Sequence, residues 1–211
     1  MAEDDKLRLA EDDDLARAKA FWHKNGKPII VAVCLGLVGI AGFNFWENRQ
    51  VERSEAASVL YEQVRGSLDA DSARPGLDTL KHKYSSLTYS QLAALAMAGL
   101  LVGEGRLDEA ARELEWALEH AGDEGFGHIA RIRLSSVLLA LDRPEEALEL
   151  VAGTQMEPFE ARYQEILGDA YTLRAGEGDR ERAREAYRKS LDAQTDDWDR
   201  KEFVKTKLDN T

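Results

Sequence analysis

Residues 167–191, LGDAYTLRAGEGDRERAREAYRKSL, form two runs separated by the turn Gly178-Asp179-Arg180-Glu181-Arg182, after which Ala183 opens the second helix of a pair. Ala147 stands 36 residues earlier and Ala110 another 37 before that. Each follows a comparable turn, Asp142-Arg143-Pro144-Glu145-Glu146 in one case and Gly105-Arg106-Leu107-Asp108-Glu109 in the other. A fixed period of this size is the signature of a helical repeat array. No apolar alternation of period two occurs, so the fold class is all-α.

The order Leu167-Gly168-Asp169-Ala170-Tyr171, then Ala183, Tyr187 and Leu191, resembles a tetratricopeptide repeat. In such repeats a small residue lets two helices approach and a large ring fills the space between them. A first unit fits with Ala98, Leu101, Ala110, Leu114 and Ala117, a second with Ser135, Leu138, Ala147 and Val151. The third unit has about three extra residues in its inter-helix turn. The gaps between units exceed the usual period, so the array is expected to be irregular in twist. A stack of this kind needs a closing element, and Trp198, Phe203 and Leu208 in residues 197–209 suit a terminal capping helix. Trp198 could instead face a partner. Trp116 is expected to pack inside or between repeats.

Upstream, Ala57, Tyr61, Val64 and Leu68 share one helical face, and no Gly or Pro interrupts residues 44–65. The cluster from Asp69 to Gly76, with Pro75-Gly76, reads as a turn, followed by a short helix marked by Leu77, Leu80 and Tyr84.

Pro28 to Trp46 carry no charge. A helix of that length spans roughly 28 Å, close to the hydrocarbon thickness of a bilayer. Ile29, Ile30, Val31, Val33, Leu35, Leu37, Val38, Ile40, Phe43 and Phe45 would favour insertion by roughly 3–6 kcal/mol before the small and polar residues are subtracted. A buried core helix and a cleaved signal peptide, with Gly39-Ile40-Ala41 as the small-residue site, compete with a retained anchor. The run is apolar all round, unlike a soluble amphipathic helix, and it continues into Phe45-Trp46 behind an acidic lead. A transmembrane helix over 28–46 is the expectation.

Within twenty residues of the run, Arg8, Arg17, Lys19, Lys24 and Lys27 lie before it, against Arg49, Arg53 and Arg65 after it. Cationic flanks stay on the cytoplasmic side, so residues 1–27 are expected to form a cytoplasmic tail and residues 47–211 the exported domain. The tail reads as disordered, with Leu15, Ala18 and Trp22 at helical spacing just before the membrane. Residues 47–211 hold 33 acidic and 22 basic side chains, which disfavours nucleic acid or an anionic lipid surface as ligand. The single cysteine, Cys34, lies in the apolar run, leaving the exported domain without a disulfide.

Nothing points to catalysis or to a cofactor. His23, His82, His120 and His128 are scattered, no metal-ligand spacing occurs, and Gly99, Gly103 and Gly105 follow no strand. The Asp and Glu residues, for example Glu181 and Glu185 beside Arg182 and Arg184, read as solvated helix surface.

The acidic tail, Phe21-Trp22 before Asn25-Gly26-Lys27, the glycine-studded span ending in Phe45-Trp46, the stretch Ala57 to Tyr61 and three degenerate repeats together resemble the YfgM-type ancillary subunit of the bacterial SecYEG translocon. The middle repeat, with Arg131 and Ser135, departs most from the pattern. The resemblance implies a non-enzymatic, single-pass inner-membrane protein whose periplasmic domain attends secretory chains beside SecYEG and a PpiD-type chaperone. Groove positions carried over from tetratricopeptide repeats would be Leu95, Gly99 and Val102, then Ile132, Ser136 and Leu139, then Asp169 and Thr172. The competing functional reading is an envelope-stress regulator whose tail contacts a cytoplasmic response regulator.

Overall fold

The structure, a computed structural model, describes residues 2–152, 154, 157–193 and 198–211. Side chains are described from Lys19 onward, apart from Ala20, Asn25, Ile29, Val31, Ala32, Val33 and Trp198 in those stretches. The fold is helical throughout the described residues, and the chain divides into two units, Met1–Arg53 and Ser54–Thr211.

The first unit lies within α1 (Ala2–Arg65). The tail expected to be disordered is helical from Ala2, and the physical reason is composition: no Gly or Pro occurs before Gly26, and Ala, Leu, Glu, Lys and Arg dominate. Leu15 and Ala18, two of the three residues of the expected amphipathic face, lie outside the described side chains. Pro28 sits inside α1. Ile30, Leu35, Leu37, Val38, Ile40, Phe43, Phe45 and Trp46 are all more than half exposed, on every side of the helix. Phe43 and Trp46 are in ring contact at 6.3 Å, and the Arg49 guanidinium lies 5.1 Å from the centre of Phe45. Among the described residues no helix is long and apolar enough to cross a membrane; Ile29, Val31, Ala32 and Val33 of the uncharged run are outside that description.

The second unit begins with the last turns of α1 and continues with α2 (Ala70–Lys83), then three helical pairs. These are α3 (Thr88–Gly103) with α4 (Leu107–Glu119), α5 (Glu124–Ala140) with α6 (Pro144–Val151), and α7 (Glu160–Arg174) with α8 (Asp179–Ala193). Helix α9 (Trp198–Asp209) closes the stack. From α2 onward each helix packs on its neighbour in the chain, and α5 also meets α7. The sequence reading of Pro75-Gly76 as part of a turn is corrected: both lie within α2, whose N-terminus is capped earlier by Asp69, its carboxylate accepting from Ser72 N–H at 2.8 Å. Gly76 faces Val64, where an added Cβ would stand 2.9 Å from Cγ2, so the glycine serves close helix approach.

The repeat alanines behave alike. Ala110, Ala147 and Ala183 are fully buried where the second helix of each pair meets the first. At Gly168 an added Cβ would lie 2.5 Å from Tyr187 Cδ1, so the missing side chain is the space the ring fills. Most of the core is one cluster reaching from Ala57 through α2–α5 to Ala147. Two smaller clusters follow, one around Tyr163 and Ile166, the other around Ala183, Tyr187 and Val204.

Candidate functional site: a groove along the first helices of the repeats

The eight residues expected to face the groove line two open cavities that share Ser136. The cavity between α3 and α5, about 300 Å³, is lined by Leu95, Gly99, Val102, Ile132 and Ser136, with Arg133 and Arg162 also on its wall. The next, about 640 Å³, takes Ser136, Leu139, Asp169 and Thr172 from α5 and α7, and Phe203 and Lys207 from α9. A third cavity of about 470 Å³ lies at the other end and shares Gly99 with the first, its wall including Leu68 and Leu100. Adjoining cavities share Gly99 and Ser136, two small residues 37 positions apart, and the three in sequence are the candidate trough. No atom stands within 4 Å of where a Gly99 Cβ would be, so the trough is open there.

The eight positions differ in exposure. Leu95 and Ile132 are buried and form the floor, whereas Gly99, Val102, Ser136 and Thr172 are exposed and Leu139 and Asp169 are half-buried. Ser136 and Thr172 donate to the carbonyls one turn back, Ile132 at 2.9 Å and Gly168 at 2.8 Å, which satisfies their hydroxyls within the helix. Large apolar side chains collect along the rim: Leu68 is 96 % exposed, Val102 44 %, Leu173 41 % and Phe203 54 %. Exposed single leucines are ordinary; four large apolar side chains along the cavity walls are more than that baseline.

The capping helix needs correction. Phe203 does not shield the last apolar face; it stands at the trough rim with Lys207 Nζ 4.5 Å from its ring centre. Val204, which the sequence reading missed, is the fully buried residue, with Leu208 packed against its cluster. One residue of phase, about 100° on a helix, separates the two assignments. The Trp198 side chain lies outside the described residues. Trp116 is half-buried, stacked on His120 at 4.2 Å, with Lys81 Nζ 4.6 Å from its ring centre.

Charge forms the trough wall at its C-terminal end, and Glu165 and Asp179 depart from the solvated surface that Glu181 and Glu185, both exposed, do occupy. Glu165 on α7 is buried and paired with Arg162, with Lys207 at 3.0 Å and with Arg200 at 3.4 Å. Burial pushes its carboxyl upward, but the Lys207 hydrogen bond and the charges of Arg162, Lys207 and Arg200 outweigh that and hold it below the ordinary value. Lys207 also donates to Asp169 at 2.7 Å, and Asp169 accepts from the Tyr187 hydroxyl at 2.8 Å. Burial is the main cause that raises the Tyr187 phenol above its usual range.

Asp179 secures the long turn of the third pair. Its carboxylate accepts from Arg174 at 2.7 and 2.8 Å, from Arg182 at 2.9 Å and from the Gly176 N–H at 2.9 Å. The Arg174 hydrogen bond leads the causes that hold it well below the carboxylate range.

Repeats two and three are also tied by His128, buried on α5, whose Nδ1 lies 2.7 Å from the Tyr163 hydroxyl; its Nε2 makes no hydrogen bond among the described residues and lies 3.9 Å from the Glu124 carboxylate. Its burial had no signal in the sequence. Among the described residues no three His, Cys, Asp or Glu side chains converge as a metal site.

A family model described as a tetratricopeptide repeat-like domain matches residues 19–211. The chain belongs to that family. Its relatives include proteins named ancillary SecYEG translocon subunit. The one from Escherichia coli (strain K12) is 27 % identical over 180 residues, covering 84 % of this chain and 85 % of its own. That from Haemophilus influenzae is 27 % identical over 204 residues, covering 96 % and 98 %. The Neisseria gonorrhoeae protein is 26 % identical over 206 residues, covering 96 % and 97 %. No solved structure matches the chain. The similarity thus extends over most of the length of each of these relatives.

Proposed function

We propose that this protein is a non-enzymatic ancillary subunit of the SecYEG translocon that uses its repeat trough to bind a partner chaperone of the PpiD type, emerging secretory chains, or both. The continuous trough with its apolar rim carries the reading: Leu68, Val102, Leu173 and Phe203 are exposed along one surface, leaving apolar area for a second polypeptide to cover. The names of the relatives supply the translocon.

Residues 28–46 would anchor the chain in the inner membrane, with residues 1–27 cytoplasmic and residues 47–211 periplasmic. The uncharged run, its apolar side chains exposed all around α1, and the cationic excess before it support that topology. An anchored domain is held at high local concentration near the exit of the channel, so modest affinity for each client suffices.

Photocrosslinking groups placed at Gly99 and Ser136 in intact membranes test this, with Val59 and Ile129, exposed apolar residues away from the trough, as controls. Capture of a secretory chain or chaperone from the trough positions and not from the controls is the expected result. Equal labelling from all four would end the trough proposal. Copurification of SecYEG after deletion of residues 1–20 is expected to be unchanged.

A further inference from the structure

We propose that the trough selects an extended polypeptide segment carrying an acidic residue between two apolar ones, with the acid held by Arg133. This rests on the trough being a polypeptide-binding surface and names which segments it prefers.

The chemistry along the trough is ordered. Leu68 stands in the cavity at one end, Phe203 and Leu173 in the cavity at the other, and Arg133 on the wall of the cavity between them. Arg133 is exposed, and among the described residues it has no ion pair or hydrogen bond. Its cationic neighbours along the trough are neutralised from within: Arg162 by Glu165, and Lys207 by Glu165 and Asp169. A guanidinium left with its donors open beside an apolar floor of Leu95 and Ile132 is suited to a carboxylate, which it can grip through two parallel hydrogen bonds.

The surroundings sharpen the preference. In a domain with 33 acidic and 22 basic side chains, the general field repels acidic segments, so an acid is accepted where a local cation offsets that field. The same balance disfavours a nucleic acid in the trough. The preferred order along the segment is apolar, acidic and apolar, as Leu68, Arg133 and Phe203 follow one another through the three cavities.

Full-length protein in neutral detergent micelles, titrated against short fluorescein-labelled peptides, tests this by anisotropy. The reference peptides carry Leu, Asp and Phe in that order with the spacing varied; one variant set replaces Asp by Lys, another replaces Leu and Phe by Ser. The Asp peptide is expected to bind about tenfold more tightly than the Lys peptide, the size of one charge-assisted hydrogen-bond pair. Arg133→Glu is expected to reverse that order, and Arg133→Gln to abolish the preference, both with unchanged helical circular dichroism. Equal affinity of the Asp and Lys peptides for the unaltered protein would overturn the charge preference while leaving the trough reading intact. If the Leu/Phe peptides bind no better than the Ser peptide, the trough reading falls and the preference falls with it.

Discussion

Around α3 and α4 the interior is apolar: Leu77, Leu80, Met97, Leu101 and Leu114 are buried together in a cluster that extends to Ala147. Around α8 and α9 the apolar cluster shrinks to Ala183, Tyr187 and Val204, and the carboxylates of Glu165 and Asp179 are buried nearby. Both ends stack helices in the same pattern, yet different forces set their stability. Burial of apolar area is indifferent to pH, whereas a carboxylate caged by cations contributes only while it is ionised. The apolar end also has ion pairs, Lys81 with Glu113 and Arg74 with Glu109, but these bridge α2 and α4 at the edge of a large core instead of replacing one.

The largest difference between the two ends should appear on removing core volume. Leu101→Ala takes a fully buried side chain from the large cluster and is expected to destabilise by about 2–5 kcal/mol. Since that cluster links α2 through α6, urea unfolding should shift for all of these helices together. Hydrogen exchange that accelerates in α3 alone, with α5 and α6 unchanged, would show the cluster to be less cooperative than its packing suggests.

Acid should act on the opposite end. The Glu165 and Asp179 carboxyls titrate below their ordinary values of 4.5 and 3.8 in the folded protein. A depressed folded-state pKa means stability that is fully present above the unfolded value and is lost as pH falls through the folded one. Exchange protection in α7–α9 should therefore decline before that of α3 and α4 as pH drops below about 4.5. Glu165→Gln should lower protection of α9 at neutral pH, by leaving Arg162, Arg200 and Lys207 without their shared anion, and should flatten the acid dependence. Simultaneous loss of protection at both ends, with the same pH midpoint, would contradict the comparison.

The difference between the ends also marks how far the sequence could be read. Ala110, Ala147, Ala183, Gly168 and Tyr187 were legible because small and large residues recur at one period; the eight trough positions came from the tetratricopeptide resemblance and line two adjoining cavities. Charge burial was not legible, since Glu165 looks like any helix-surface glutamate until Lys207, 42 positions later in the chain, arrives from α9. The phase of α9 failed for a related reason. Phe203 and Val204 are adjacent, the helix has too few apolar residues to fix its inward face, and the choice is made by the Tyr187 cluster it meets. Pro75 and Gly76 misled because both are turn residues by habit, while here the neighbouring Val64 side chain demands a residue without a Cβ.

The middle repeat is where the two regimes join, and it offers the smallest and most specific test. Ser135 occupies the place held by Ala98 one repeat earlier, 37 positions upstream, and both are buried. Unlike its neighbour Ser136, whose hydroxyl bonds to Ile132, the buried Ser135 hydroxyl has no partner among the described residues. A hydroxyl removed from water without a replacement partner is costly, so Ser135→Ala should stabilise the domain by about 1 kcal/mol. The gain should be seen as a raised urea midpoint with unchanged slope, because the surface exposed on unfolding is nearly the same. A loss of stability instead would mean that the hydroxyl is satisfied by water inside the repeat, and that the seam between the apolar and charged ends is hydrated.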